Sequence, residues 1–214
     1  ARSIHRTLNT MNVHRILLVS ALAVPALVIT ACQPLPKQHG LSVQTLPVEG
    51  RLVTINPNDV VVAPIELSEE GLVVPVRLLR EAAVGSLVAR RYAPLSLDFI
   101  DASIPEALAG GVLEASYRPG SMGEDAVLRT IVHSWDTSLW NLRKALTVDI
   151  ECILSAPGGT GQELWHVRMS QRFDFEKEAH TAATESALMA IATRTITDEI
   201  CTKLPQRSVG PGAH

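Results

Sequence analysis

Three stretches in the second half of the chain alternate apolar and polar residues. The first is 125–135 (DAVLRTIVHSW). The second is 144–155 (KALTVDIECILS), with Leu146, Val148, Ile150, Cys152 and Leu154 in one set. The third is 162–173 (QELWHVRMSQRF), with Trp165, Val167 and Met169 in one set. A period of two puts each apolar set on one face of a strand. APGGTGQ lies between the last two, and its glycines supply the positive φ angles of a hairpin. The pattern predicts an antiparallel three-strand meander.

Upstream, DVVVAPIEL (59–67) is a β-branched run of strand length. A helical period follows over 73–92, with Val76, Leu79, Ala83, Leu87 and Arg90 on one side and Pro75 tolerable in a first turn. APLSLDFI (93–100) reads as a second strand, so the order predicts a crossover and a parallel pair. SIPEALAGG predicts a short helix and YRPGSMGE a loop within the irregular stretch 101–124. The chain closes with one helix over 176–203, its stripe Leu188, Ala192, Ile196 and Ile200, and then a frayed tail over 205–214. The fold class expected is an α/β sandwich of two or three layers. Its mixed sheet has about five strands, with a β-α-β start, the meander and a long C-terminal helix.

The front of the chain has a different pattern. MNVHR (11–15) precedes a run without charge from Ile16 to Ile29, and Cys32 follows. A positive start, an apolar stretch and small residues are the marks of a secretory signal. A membrane-spanning helix needs about 20 apolar residues, and Pro25 interrupts this run. Residues 1–10 read as an upstream extension. Ile29-Thr30-Ala31-Cys32 resembles the lipobox of bacterial lipoproteins. That resemblance implies a diacylglyceryl group on the Cys32 thiol and cleavage just before it; ordinary cleavage after Ala31 and a retained anchor are the alternatives. Gln33 stands where Asp resembles an inner-membrane retention signal, which points to the periplasmic face of the outer membrane. Domain organisation follows: signal 1–31, lipidated cysteine and tether 32–57, one α/β domain 58–204, tail 205–214. Pro and Gly punctuate the tether, although Val43–Leu46 has the length of an edge strand.

Composition narrows the partners. The chain is 46% hydrophobic but only 4% aromatic, so its core is aliphatic. Three of the nineteen basic residues (Arg2, Arg6, Arg15) precede Cys32, and none of the twenty-two acidic ones does. The body is therefore acidic, without the basic patch on which nucleic-acid binding depends. The partners expected are the membrane, through lipid on Cys32, an envelope protein, and a second copy of the chain.

Catalytic motifs are weak. GGTGQE (158–163) lacks the Lys-Ser/Thr end of a phosphate loop, and GSMG (120–123) is one residue short of a nucleophile elbow. His133 and Asp136, with His166 on a neighbouring strand, could be written as metal ligands, but no ligand spacing supports them. Asp98 and Asp101 end a predicted strand, where α/β enzymes place acids; without a base or cofactor motif they read as caps for the next turn. No catalytic residue, metal site or cofactor is expected. With Cys32 lipidated, Cys152 and Cys201 either bridge or pack as two thiols, and spacing leaves both open.

DVVVAPI, EDAVLRTIVHSWDTS and LTVDIECILSAPGGTGQELWHVRMS, over about residues 58–172, resemble a family of bacterial cell-envelope lipoproteins. Its signature pairs a DAxL strand with T-G-x-E-L-W, here Thr160 to Trp165. The resemblance implies a hairpin of two long strands with the tryptophan packed on the sheet. It also implies a fold like the TolB amino-terminal domain, CsgG and LpoB, and a non-catalytic role in envelope assembly, transport or secretion. An envelope hydrolase or small-ligand binder is the alternative, and it needs a pocket with perturbed acids such as Asp98 or Asp101.

Overall fold

Alternation in the second half becomes three long strands in the computed structural model, which describes residues 42–46, 50–103, 119–157 and 162–208. Strands β5 (Ala126–Asp136), β6 (Ala145–Ser155) and β7 (Glu163–Asp174) pair antiparallel in that order. Apolar rows run across them: Leu128, Leu154 and Trp165; then Val132, Ile150 and Met169. All six side chains are buried, together with Leu146, Val148, Cys152 and Val167. The Ala156 N–H donates to the Gln162 carbonyl at the base of the hairpin; its tip, 158–161, lies outside the described residues.

The first half joins this meander in parallel. The expected strand 59–67 is two: β2 (Asp59–Val62) and β3 (Glu66–Leu67), each parallel to β5. Pro64 between them has no N–H to continue the ladder. Helix α2 (Val76–Ala89) follows with Leu79, Ala83 and Leu87 buried as expected, but Val76 is exposed in its first turn. The expected strand 93–100 is a second correction. Only β4 (Ala93–Pro94) pairs, parallel to β2, and Leu97–Ser103 forms helix α3. The N–H groups of Ala93 and Leu95 donate to Asn58 and Val60, after which Ile100 bonds back to Ser96 and buries its side chain against Val61, Ala63 and Val127.

Two further boundaries differ. The segment 42–46, placed in the tether by its punctuation, is strand β1 (Ser42–Leu46), antiparallel to β7. It is preferred there because the edge of β7 offers a ladder for its backbone. Helix α1 (Arg51–Ile55) follows and buries Leu52, so the folded body begins before residue 58. The last helix is broken. After a short helix α4 (Trp140–Arg143) between β5 and β6, α5 (Glu176–Ala179) and α6 (Glu185–Cys201) share the expected 176–203 stretch. Thr181 turns its hydroxyl back to the Glu178 carbonyl, and Thr184 accepts the Ala187 N–H as a cap. Leu188, Ala192, Ile196 and Ile200 are buried on α6 as the period requires. The tail begins docked, since the Tyr92 hydroxyl donates to Pro205 and the Arg207 N–H to Arg90.

The result is a mixed α/β sandwich with seven strands in order β1-β7-β6-β5-β2-β4 among the described residues, β3 pairing β5 beside that path. Helices α2 and α6 cover one face over the main core. Helix α3 covers the β2 end of the other face. The rest of that second face, over β5, β6 and β7, carries mainly polar side chains, with Ile131 and Ile153 among them.

Candidate functional site

The polar face grows from the residues left over by the apolar rows. On β5 these are Arg129, Ile131 and His133, on β6 Asp149 and Glu151, and on β7 His166 and Arg168. They are joined in pairs across strands. Arg129 donates twice to Glu66 of β3, each bond 2.9 Å, and Arg168 donates twice to Asp149, each 2.9 Å. Bidentate pairing of this kind fixes orientation as well as charge.

Between these pairs sits a carboxylate held by two imidazoles. His133 Nε2 lies 2.7 Å from Glu151 Oε2, and His166 Nε2 lies 2.6 Å from Glu151 Oε1. The other ring nitrogen of His166, Nδ1, lies 3.3 Å from Glu163 Oε2. Two irregularities in the ladders bring this about. Pairing shifts between Val132 and Ser134, so His133 is the unmatched residue of β5; it shifts again where Leu154 pairs Trp165 and Ser155 pairs Glu163. Such bulges re-aim side chains. Burial alone would raise the Glu151 carboxyl, but hydrogen bonds from His133 and His166 outweigh it and hold the group below the usual carboxylate range.

Sequence reading singled out His133 and His166 but missed Glu151 and Glu163. Glu151 had a signal, since alternation alone places it on the same face as both histidines; the bulge that aims His133 had none. Asp136 is elsewhere, accepting the Ser138 N–H at 2.8 Å. Among the described residues, no three His, Cys, Asp or Glu side chains are placed to hold a metal ion. Among the described residues the ring nitrogens of His133 and His166 bond to carboxylates, and the Ser68 hydroxyl reaches His133 at its backbone carbonyl, 3.3 Å away. The cluster can therefore hold and release protons and present paired charge.

The remaining candidates take structural positions. Asp98 is exposed in the first turn of α3. Asp101 accepts from Arg80 Nη1 at 2.6 Å, because a buried guanidinium on α2 points at it; the turn that it was expected to cap runs into residues outside the described ones. In the 119–124 turn, Glu124 accepts the N–H groups of Gly120 and Met122, and Gly120 and Gly123 have positive φ. Residues 104–118, including most of the SIPEALAGG segment, and Cys32 with its signal and tether to 41 lie outside the described residues. Cys152 on β6 and Cys201 on α6 are both buried free thiols. Burial pushes Cys201 up to about 11 and Cys152 further up, and Cys201 adds to the effect on Cys152.

The described residues line two concavities of note. A hollow of about 300 Å³ on the polar face is lined by Gln44, Asp149, Arg168 and Ser170. A groove of about 570 Å³ between α2 and α6 is lined by small residues such as Ala82, Gly85 and Ala190, with Arg90, Arg194 and Asp198. In the groove the Ser86 hydroxyl donates to Asp198 at 2.6 Å beside Glu81 and Cys201, and in the hollow Asp149 pairs with Arg168. No helix among the described residues is long and apolar enough to cross a membrane.

No family model matches the chain, and no curated protein matches it. Solved structures do. The PelC dodecamer from Paraburkholderia phytofirmans is 12% identical with a TM-score of 0.48, covering 78% of this chain and 99% of that one. Lipoprotein GNA1162 from Neisseria meningitidis is 18% identical with a TM-score of 0.47, covering 67% and 98%. A minor lipoprotein from Acinetobacter baumannii is 10% identical with a TM-score of 0.28, covering 71% and 97%.

Proposed function

We propose that this protein is a lipid-anchored, non-catalytic interaction module of the bacterial envelope, held at the periplasmic face of the outer membrane through Cys32. One observation carries the docking role: the face of β5, β6 and β7 presents fixed charge pairs to solvent. Arg168 is 47% exposed and Glu163 49%, each bonded to a neighbour on the sheet. Charge held in fixed positions favours specificity towards a partner. The anchor rests on the uncharged run 16–29 and on Ile29-Thr30-Ala31-Cys32 after it. One lipid chain gives only marginal attachment, whereas the two of a diacylglyceryl cysteine hold stably.

The partner is an envelope protein or a second copy of the chain, in assembly, transport or secretion. Photo-cross-linkers at Arg129 and Arg168 in intact envelopes separate these by product mass, and a face that cross-links nothing removes the docking role. Cys32→Ala should abolish lipid labelling and move the protein from the membrane to the soluble fraction. Continued labelling of that variant would rule out Cys32 as the attachment site.

A further inference from the structure

Three contacts join ring nitrogens to carboxylate oxygens: His133 Nε2 to Glu151, His166 Nε2 to Glu151 and His166 Nδ1 to Glu163. Each needs one proton to be a hydrogen bond. Two neutral imidazoles carry only two, so the complete set requires a third. His166 needs both of its nitrogens protonated, because both face carboxylates.

Charged side chains flank it on the neighbouring described elements. Glu66 of β3 and Arg129 of β5 pair with each other, as do Asp149 of β6 and Arg168 of β7. Arg172 lies further along β7 on the same face by alternation, and β1 brings Ser42, Val43 and Gln44 beside β7 without a titratable group. Within the cluster, Glu151 and Glu163 stand against two histidines, and the extra proton leaves these four residues nearer neutrality.

We propose that His133, Glu151, His166 and Glu163 form a proton-operated latch on the docking face. With the third proton in place, His166 as an imidazolium ties Glu163, the first residue of β7, to Glu151 in the middle of the neighbouring strand. When Nδ1 gives its proton to a solvent base, its lone pair faces the Glu163 carboxylate. That contact opens, because Glu163 is the most exposed member at 49% and its bond the longest at 3.3 Å. The face then carries one more negative charge, and its charge pattern follows external pH. This deepens the docking reading, yet the proton count needs no partner, so the two can fail separately.

The test is nitrogen-15 NMR of histidine side chains in the full, detergent-solubilised chain between pH 5 and 8. In the wild type, both His166 nitrogens should show protonated signals at the low end and lose the Nδ1 proton as pH rises. Glu163→Gln should move that loss to lower pH, the effect of removing one partly exposed carboxylate. Glu163→Ala should do the same, and circular dichroism confirms that both fold. A single neutral His166 tautomer throughout, or an unmoved transition in both variants, overturns the latch.

Discussion

Arg80 of α2 and Asp101 of α3 meet around the end of β2, Nη1 to Oδ1 at 2.6 Å, tying a helix on one face of the sheet to a helix on the other. Arg80 also donates through Nη2 to the Val62 carbonyl at 3.1 Å, and its buried Nε has no partner among the described residues. The two ends are unequal, with side chains 8% and 37% exposed. Asp101→Ala leaves a charge buried, whereas Arg80→Met leaves a carboxylate that water can reach. We expect losses of about 2–3 kcal/mol for the first and about 1 kcal/mol for the second. Urea midpoints at constant slope measure both; the reverse order would show that the guanidinium's burial does not set the cost.

The Glu151 carboxyl is held below its ordinary range, so the folded chain binds fewer protons there than the unfolded one. It therefore stabilises the fold above the unfolded carboxylate value of about 4.3, and that contribution fades as pH falls through the folded value. Glu151→Gln should be less stable than wild type at pH 6, with the gap closing towards pH 3. Denaturation midpoints across that range decide it. A gap that widens in acid would mean that burial outweighs the imidazoles.

Trp165 is buried in the main core and donates its indole N–H to the Lys203 carbonyl at 3.1 Å, beyond the end of α6. Trp165→Phe keeps most of the apolar bulk and loses that bond, for about 1 kcal/mol. Trp165→Ala adds a cavity and should cost about 3–5 kcal/mol. Thermal or urea unfolding of the pair separates bond from bulk, and equal losses would leave the bond without a role.

Cys152 and Cys201 should be silent to a thiol reagent at pH 8 in the folded protein, because both are buried and both are held in the protonated form. Unfolding without reductant should then release two thiols from lipidated protein, or three from chain whose Cys32 is unmodified. Finding none from lipidated protein would show that the pair bridges in the envelope.

Much of this architecture was legible wherever one face of an element is apolar and the other polar. The rows of β6 and β7 follow from alternation alone, and so does the buried stripe of α6. Illegible were the places where one residue interrupts a pattern: Pro64 dividing β2 from β3, and the threonines separating α5 from α6. Hydrophobic period carries no record of a missing N–H or of a hydroxyl competing for a carbonyl. For the same reason His133 and His166 could be suspected but not joined. Their meeting at Glu151 depends on bulges, and a bulge moves one residue without changing the composition around it.

Strand β1 has a mechanical consequence. Nine residues separate Cys32 from Ser42, so a chain fastened at Cys32 delivers any pull to the sheet through the five residues of β1. β1 runs antiparallel to β7 along the sheet's rim, and its Val43 and Gln44 are exposed. Tension can strip it away before the core bears load. At about 3.4 Å per residue, that adds about 17 Å of slack to the leash. In a chain so fastened, the first strand would yield as a fuse while the rest of the fold kept its shape.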